Sequence, residues 1–404
     1  MKTPQQRSEE TGSEEMSLSE PSHLSRRGFI RSVGALGLGA GAFALGAGGL
    51  LAGCGGGGNS GGAATPTPGA TAIASSPYTM FISTFLARGV LRYDSTSGTL
   101  RQLFKLNERA DDDTDTSTNP KFPQTTAGLV VSPDKQNLFV FSPGSDQIFM
   151  VDANTGALKK RISSIHSGTV GGANVTNEVA PTNTPHDGVI GPDGKLYYVN
   201  APSLTTRKAP DSVEMLDPAT GNHLGTFVDS TQSPQLRGPF GINFGPDGNM
   251  YISSVLSFGF NPNTIPFRPD KTARFNGQTG AFINFAVQQE HLAFTMAFNP
   301  TNGELLAPSF FFNRIYEYNP TQGKLLDAFA NIDYPLQVLY GPDGDMFVTS
   351  FSDKEHVALL TDVIAANDAN AQGKGRVLRL NGKTGALKGE VLTNLPYGGF
   401  LAFL

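Results

Sequence analysis

Residues 341–348, Gly341-Pro342-Asp343-Gly344-Asp345-Met346-Phe347-Val348, join a tight turn to a short apolar strand. The same unit recurs at 191–199 and at 245–252, and looser copies begin at Ser132 and Asn299. Pro restricts φ early in such a turn, and Gly accepts a positive φ at its end. Each copy therefore predicts a hairpin between two antiparallel strands.

A second unit, an apolar residue, Asp or Asn, three variable residues and Gly, follows each of these strands. Its six copies end at Gly98, Gly156, Gly221, Gly280, Gly323 and Gly385. The Asp or Asn side chain can bond the turn backbone, and the Gly supplies a positive φ, so this is also a hairpin signal. Each repeat thus predicts four antiparallel strands, A to D. Six such repeats predict an all-β protein, a six-bladed β-propeller.

The two ends of the chain are predicted to close the ring. The first repeat begins at strand B, and the C-terminal stretch Pro396-Tyr397-Gly398 aligns with Pro239-Phe240-Gly241 at the start of a strand A. We therefore expect the C-terminal strand to pair into the first blade, which removes two exposed sheet edges.

Composition limits the partners and the chemistry. The chain has 404 residues and a net charge of −5, and no Lys/Arg cluster lies outside its N-terminal segment, so nucleic acid is not an expected partner. Cys54 is the only cysteine, which leaves the folded part without a disulfide, a thiolate metal site or a catalytic thiol. We expect a monomer.

The N-terminal segment resembles a twin-arginine lipoprotein signal peptide. Arg26 and Arg27 precede a Gly-diluted apolar run that ends in Leu51-Ala52-Gly53-Cys54, which is similar to a lipobox. The resemblance implies a signal peptide over residues 1–53, lipidation at Cys54 and a membrane-anchored lipoprotein facing the periplasm or the cell exterior. Residues 54–76 are rich in Gly, Thr and Pro and predict a flexible tether, and residues 77–404 form the predicted propeller.

The paired turn units resemble those of six-bladed propellers of the NHL-repeat, SMP-30/gluconolactonase and streptogramin (virginiamycin B) lyase proteins. The resemblance covers residues 77–404 and implies the fold, because these turns serve hairpins and not chemistry. In the lyase-like and SMP-30-like proteins, the starts of the strands A supply oxygen and nitrogen ligands to a divalent metal. The aligned positions here hold one such ligand, His186, among apolar and aromatic residues. A Ca²⁺ or Mg²⁺ ion is therefore a possible cofactor without a complete ligand set.

The predicted binding face is the one that carries the long connections. In this blade pattern the short A–B and C–D turns share one face, and the B–C and D–A connections share the other. The long stretches 107–124, 163–184, 203–211, 256–270 and 352–375 are all of the second kind. Built-up loops on a rigid scaffold are where binding residues concentrate, so a small molecule, a glycan or a protein is expected on that face.

Candidate site residues follow from the strand A starts on that face. The ligand-binding candidates are His186, Asp187, Phe240, Asn243, Phe294, Thr295, Gln337 and Tyr397. His186 and Asp187 are also the metal candidates. They join Glu290, His291, Glu355 and His356 as candidates for acid/base catalysis. His223, beside a short turn, is expected to be exposed on the opposite face.

Two functions from different classes remain open at this point. The first is a binding or interaction module at the cell envelope. The second is a divalent-metal-dependent lyase or lactone hydrolase of the streptogramin lyase or SMP-30 type. The sequence does not decide whether the protein is an enzyme, and a stoichiometric metal ion would favour the second.

Overall fold

The computed structural model describes residues 76–84, 88–106, 126–164, 176–204, 209–254, 271–288, 293–310, 312–351, 375–395 and 398–404. These residues form six antiparallel sheets arranged as the blades of a propeller, which confirms the predicted fold. The predicted signal peptide and almost all of the predicted tether lie outside the described residues. None of the described segments is a helix long and apolar enough to cross a membrane.

The first three blades contain the first twelve strands of the chain, and the C-terminal strand joins blade 1. Blade 1 consists of β1 (Thr79–Thr84), β2 (Gly89–Asp94), β3 (Thr99–Lys105) and β25 (Gly398–Phe403). Blade 2 consists of β4 (Leu129–Val131), β5 (Asn137–Ser142), β6 (Gln147–Asp152), β7 (Leu158–Ser163) and β8 (Thr176–Val179). Blade 3 consists of β9 (Pro185–Ile190), β10 (Leu196–Asn200), β11 (Ser212–Leu216) and β12 (His223–Asp229), with a 3-10 turn at Pro202–Leu204.

The other three blades are four-stranded. Blade 4 consists of β13 (Pro239–Phe244), β14 (Met250–Ser254), β15 (Thr272–Phe275) and β16 (Phe282–Val287). Blade 5 consists of β17 (Ala297–Phe298), β18 (Leu305–Ser309), β19 (Arg314–Asn319) and β20 (Lys324–Asn331). Blade 6 consists of β21 (Pro335–Tyr340), β22 (Met346–Phe351), β23 (Gly375–Leu380) and β24 (Leu387–Leu395).

The C-terminal strand closes the ring as predicted, but its register is shifted by two residues. Gly398 pairs with Thr84 across the same bulge by which Pro239 pairs with Ser254 in blade 4. Gly398, and not Pro396, therefore occupies the position of Pro239. A shift of two preserves the alternation of buried and exposed side chains, so the sequence pattern does not distinguish the two registers.

The hydroxyl groups of strand B fix this register. Ser83 accepts a hydrogen bond from the Phe400 N–H at 2.8 Å, just as Ser253 accepts one from the Gly241 N–H at 2.9 Å. Thr349 does the same in blade 6. Each hydroxyl satisfies a backbone donor that the bulge removes from the ladder.

Neighbouring blades approach closely at the C–D turns. A Cβ on Gly156 would lie 1.9 Å from the Leu103 carbonyl oxygen of blade 1, and one on Gly385 would lie 2.2 Å from the Phe329 oxygen of blade 5. The turn glycines that the sequence analysis assigned to positive φ therefore also allow the blades to pack. Apolar clusters fill each interface between blades, and Phe81, Leu138 and Phe149 belong to the one between blades 1 and 2.

Blade 2 carries a fifth strand that the sequence analysis treated as part of a connection. Strand β8 pairs in parallel with β7 on the outer edge of the blade. Glu178 accepts a hydrogen bond from the His223 N–H of blade 3 at 2.8 Å, which joins the two blades at the rim.

Candidate functional site

The strand A starts meet around the propeller axis on the face that carries the long connections. Pro185 pairs with Asn200, the last residue of its strand B, and Pro335 pairs with Ser350, one residue before the end of β22. The B–C and D–A connections leave the blades at this end. The strand ends therefore place the long connections and the predicted site residues on one face of the disc.

The residues one position after the start of each strand A form a first ring around the axis, with bulky side chains on one side and small ones on the other. With the corrected register it consists of Ala127, His186, Phe240, Phe294, Leu336 and Gly399, one from each of blades 2, 3, 4, 5, 6 and 1. The predicted member Tyr397 is replaced by Gly399, and Tyr397 lies outside the described residues. In the next ring, one residue further along each strand A, the blade 1 member is Phe400 and not the predicted Gly398.

Aromatic rings close the axis at this level. Phe400 of blade 1 and Phe240 of blade 4 come from opposite blades, and their ring centroids are 6.4 Å apart with planes at 26°. Phe294 lies 5.0 Å from Phe240 in a tilted contact. Such offset contacts are favourable aromatic geometry. An aromatic cluster therefore packs across the axis at this level.

His186 extends this cluster with a polar ring. Its imidazole stacks on Phe240 at 4.2 Å and 24°, and the residue is 1% exposed. Among the residues that the structure describes, neither ring nitrogen has a hydrogen-bond partner. Burial lowers the pKa of His186 to about 3, so the imidazole is neutral at physiological pH.

Asp187 lies between blades 2, 3 and 4. A Cβ on Gly128 would come within 2.6 Å of its Oδ1, so only glycine fits beside it in blade 2. Burial raises the pKa of Asp187 to about 7, while hydrogen bonds from the Gly188 and Ile242 N–H groups lower it. The net rise shows that desolvation outweighs these bonds, and a large fraction of this carboxyl is protonated at neutral pH.

Asp187→Asn is expected to change how stability depends on pH. Between about pH 4 and pH 7 the unfolded chain releases the proton of Asp187 while the folded chain retains it. Wild-type stability thus falls as pH rises through that window, by up to about 4 kcal/mol, and the variant lacks this fall. Melting temperatures of both proteins from pH 4 to pH 8 provide the measurement. If the difference in melting temperature between the two proteins stays constant from pH 4 to pH 8, the pKa of Asp187 is not raised.

Two other predicted ligand residues bond neighbouring blades. Thr295 Oγ1 donates to the Leu336 carbonyl oxygen at 3.3 Å, and Gln337 Oε1 accepts from the Leu401 N–H at 2.5 Å. These bonds connect blade 5 to blade 6 and blade 6 to blade 1. Thr295 and Gln337, which were predicted to bind a ligand, therefore form hydrogen bonds that hold neighbouring blades together.

Asn243 is separated from the mouth of the site. It lies four residues along β13 from Pro239, and its Nδ2 donates to the Met296 carbonyl oxygen at 3.2 Å. Its Oδ1 accepts from the Phe244 N–H at 2.8 Å. Both ends of the amide are occupied, so Asn243 supports the junction of blades 4 and 5.

The remaining acid/base candidates cannot be placed. Glu290, His291, Glu355 and His356 lie outside the described residues. Among the residues that are described, no three His, Cys, Asp or Glu side chains form a group able to hold a metal ion. The two predicted metal ligands, His186 and Asp187, are consecutive residues of β9.

His223 is not the exposed side chain that we expected. Its Nε2 lies 2.9 Å from Oε2 of Glu214, and its side chain is 20% exposed. Glu214 is buried and also accepts hydrogen bonds from Ser212 and Thr226. The buried carboxylate explains the error, because Glu214 on β11 bonds the side chains of His223 and Thr226 on the neighbouring strand β12.

The comparisons with known proteins identify the architecture alone. No protein-family model matches the chain, and no curated protein sequence matches it. Among solved structures, a protein of unknown function from Bacteroides caccae has a TM-score of 0.54 at 12% identity, covering 81% of this chain and 99% of that one. A chain of the nidogen/laminin complex has a TM-score of 0.50 at 12% identity, covering 81% and 98%.

A gluconolactonase from Xanthomonas campestris is also similar, with a TM-score of 0.46 at 17% identity over 69% of this chain and 85% of that one. At these identities the likeness shows the fold and not the activity.

Proposed function

We propose that this propeller is a binding module that takes its ligand at the axial end on the long-connection face. One observation carries the proposal: His186 is buried in the aromatic cluster, and neither ring nitrogen has a partner in the described part of the chain. The equivalent positions in blades 4 and 5 are Phe240 and Phe294, so a phenyl ring is compatible with this environment. A buried polar atom without a partner costs about 1–3 kcal/mol. Retaining imidazole at that cost supports a role in function, as in other sites where function opposes stability.

His186→Phe is expected to raise stability and to remove ligand binding. The phenyl ring continues the stack on Phe240 and abolishes two unpartnered nitrogens, which should add about 1–2 kcal/mol. The measurement is a thermal-shift screen of a metabolite library on both proteins. We expect compounds that raise the melting temperature of the wild type and leave the variant unchanged.

Phe294→His is the matched control, because it places an imidazole at the equivalent position of blade 5. It should lower stability by about 1–3 kcal/mol and create no new ligand response. If His186→Phe destabilises the protein as much as Phe294→His does, or if it responds to the same compounds as the wild type, His186 is not the ligand-binding residue.

A metal-dependent lyase or lactone hydrolase remains the alternative from the sequence. Among the described residues no three His, Cys, Asp or Glu side chains form a group able to hold a metal ion, so no specific contact there favours it. The same screen includes CaCl₂ and MgCl₂. A stoichiometric response to either ion, lost in His186→Phe, would replace the binding module by the metal-dependent alternative.

We also propose that the chain is exported and anchored by lipid at Cys54. The face at which the chain enters the propeller would set the orientation of the propeller relative to the membrane. Thr79 at the start of β1 pairs with Asp94, which opens the first C–D turn, so the chain enters at the short-turn face. The long-connection face would then point away from the membrane, towards its ligand or protein partner. A structural neighbour solved as part of a protein complex is consistent with a propeller that binds a partner.

Cys54→Ala is expected to move the protein from the membrane fraction to the soluble fraction without changing its melting temperature. The thiol is the proposed lipid acceptor, and Cys54 belongs to the predicted tether and not to the predicted propeller. Fractionation and detergent partitioning of wild type and variant measure the difference. Membrane attachment that persists in Cys54→Ala would reject the lipid anchor.

Replacement of Arg26 and Arg27 by Lys should instead stop export.

A further inference from the structure

Three side chains that can react with one another meet at the rim between blades 2 and 3. Lys160 lies on β7, Glu178 lies on β8, and Asn222 follows the C–D turn of blade 3. The Lys160 Nζ is 2.6 Å from Oδ1 of Asn222 and 3.7 Å from Oε2 of Glu178. A primary amine, a carboxamide and a carboxyl group are therefore in contact. They are a nucleophile, an acyl group and an acid/base group.

The carboxamide and the carboxyl group are both held by the backbone of blade 3. The Asn222 carbonyl oxygen accepts a hydrogen bond from the Asp217 N–H at 2.9 Å, which fixes the residue at the end of its turn. Glu178 Oε1 accepts one at 2.8 Å from the N–H of His223, the residue after Asn222. Reacting groups that are already ordered in this way have less entropy to lose in the transition state.

The stem of Lys160 packs against the turn that carries Asn222. A Cβ on Gly221 would lie 3.1 Å from Lys160 Cδ and 2.9 Å from Met150 Sδ, so glycine lets the turn approach the strand this closely. The Lys160 side chain is 12% exposed. Among the described residues the Asn222 amide nitrogen has no acceptor, so this nitrogen is free to leave.

We propose that Lys160 and Asn222 are joined by an isopeptide bond that the folded protein forms by itself. In this reaction Glu178 takes a proton from the Lys160 ammonium, and the Nζ lone pair attacks Cγ of Asn222. The two protons that Nζ loses pass through Glu178 to Nδ2, which leaves as ammonium when the Cγ–Nδ2 bond breaks. The reaction consumes no other reactant, and the positive charge of the lysine leaves with the ammonium.

The bond would give the propeller a covalent link that its sequence cannot provide through cysteine. Cys54 is the only cysteine and lies outside the predicted propeller. The two linked positions are 62 residues apart, and they belong to neighbouring blades. A cross-link over such a loop restricts the unfolded chain in the same way as a disulfide.

A second set of the same three groups lies in blade 2 and differs where the reaction requires it. Lys159 Nζ is 2.9 Å from Asn137 Oδ1 and 2.9 Å from Asp152 Oδ2. Here the Asn137 amide nitrogen donates to the carbonyl oxygens of Pro218 and Ala219, so it is not free to leave. The hydrogen bonds from Lys159 and the turn backbone hold the pKa of Asp152 well below its usual range, so this carboxyl group is a poor proton carrier. Lys159 is therefore the matched control.

The test is peptide mapping by mass spectrometry of the full-length chain, digested with trypsin after unfolding. The wild type should yield a branched peptide that joins Lys160 to Asn222 and is lighter by one ammonia than the sum of the two linear peptides. Lys160→Arg and Glu178→Gln should yield the linear Asn222 peptide, whereas Lys159→Arg should still yield the branched one. The melting temperature should fall by several degrees in Lys160→Arg and by less in Lys159→Arg.

The wild-type map decides the matter even if a variant does not fold. A wild type that yields only the linear Asn222 peptide overturns the proposal. Loss of ammonia from Asn222 without a branch indicates a succinimide and also overturns it. A branch that persists in Lys160→Arg and disappears in Lys159→Arg assigns the bond to the wrong lysine. None of these outcomes involves His186, so they are independent of the proposed binding function.

Discussion

Removal of residues 398–404 is expected to abolish cooperative unfolding of the domain. These seven residues contain β25, the innermost strand of blade 1, and their loss exposes Phe81 and Ile82 on β1. Burying Phe400 and Leu401 alone contributes roughly 3–6 kcal/mol, against a total of about 5–15 kcal/mol for an ordinary domain. Ser83 and Gln337 also lose hydrogen bonds to β25. Thermal unfolding followed by circular dichroism provides the measurement.

A pair of point variants tests the closure even if the truncated protein does not fold. Leu401 is 1% exposed in β25, and Leu387 is 58% exposed at the start of β24. Leu401→Ala should cost about 2–5 kcal/mol, and Leu387→Ala less than about 0.5 kcal/mol. A synthetic peptide of residues 396–404 should restore cooperative unfolding to the truncated protein. A truncated protein that melts like the wild type would show that β25 does not close the ring.

Gly156→Ala is expected to be the most damaging single substitution in a turn, at roughly 3–5 kcal/mol. Its φ of 77° disfavours any side chain, and the new Cβ would overlap the Leu103 carbonyl oxygen at 1.9 Å. That oxygen belongs to strand β3, so relief requires blades 1 and 2 to move apart. Denaturant unfolding of the variant measures the loss.

Gly98→Ala separates the cost of backbone strain from the cost of the clash between blades. Gly98 occupies the equivalent turn of blade 1 with a φ of 68°, but a Cβ there would meet nothing within 4 Å. It should therefore cost only the backbone strain, about 1 kcal/mol. Equal costs for the two variants would mean that the blades do not depend on glycine for their approach.

Local turn chemistry explains why so much of the fold could be predicted. Asp152 accepts hydrogen bonds from the Asn154 and Thr155 N–H groups, and Asp217 bonds its own turn in the same way. Such bonds lie within four residues, so the sequence contains all the information they need. Six copies then determine the number of blades.

The errors concern contacts between residues that are distant in sequence. The register of β25 depends on Ser83, and the fifth strand of blade 2 depends on pairing with β7 and on the bond from His223 to Glu178. The sequence placed His186 and Asp187 at the axis, but not the state of their polar atoms. His186 has no partner among the described residues, whereas Thr295 bonds the Leu336 carbonyl oxygen and Gln337 bonds the Leu401 N–H. These outcomes depend on backbone groups of neighbouring blades.

The hydrogen bond between Ser83 and Phe400 has a consequence for the order of folding, because it joins residues 317 positions apart. Blade 1 begins the propeller, yet it lacks its innermost strand until the last residues of the chain are available. Contacts of such large sequence separation form slowly, since most of the loop entropy is lost before they are made. During synthesis the Phe81 edge of β1 would therefore remain unpaired until the chain is complete. The first blade to be made would be the last to be finished, and ring closure would be the slow step of folding.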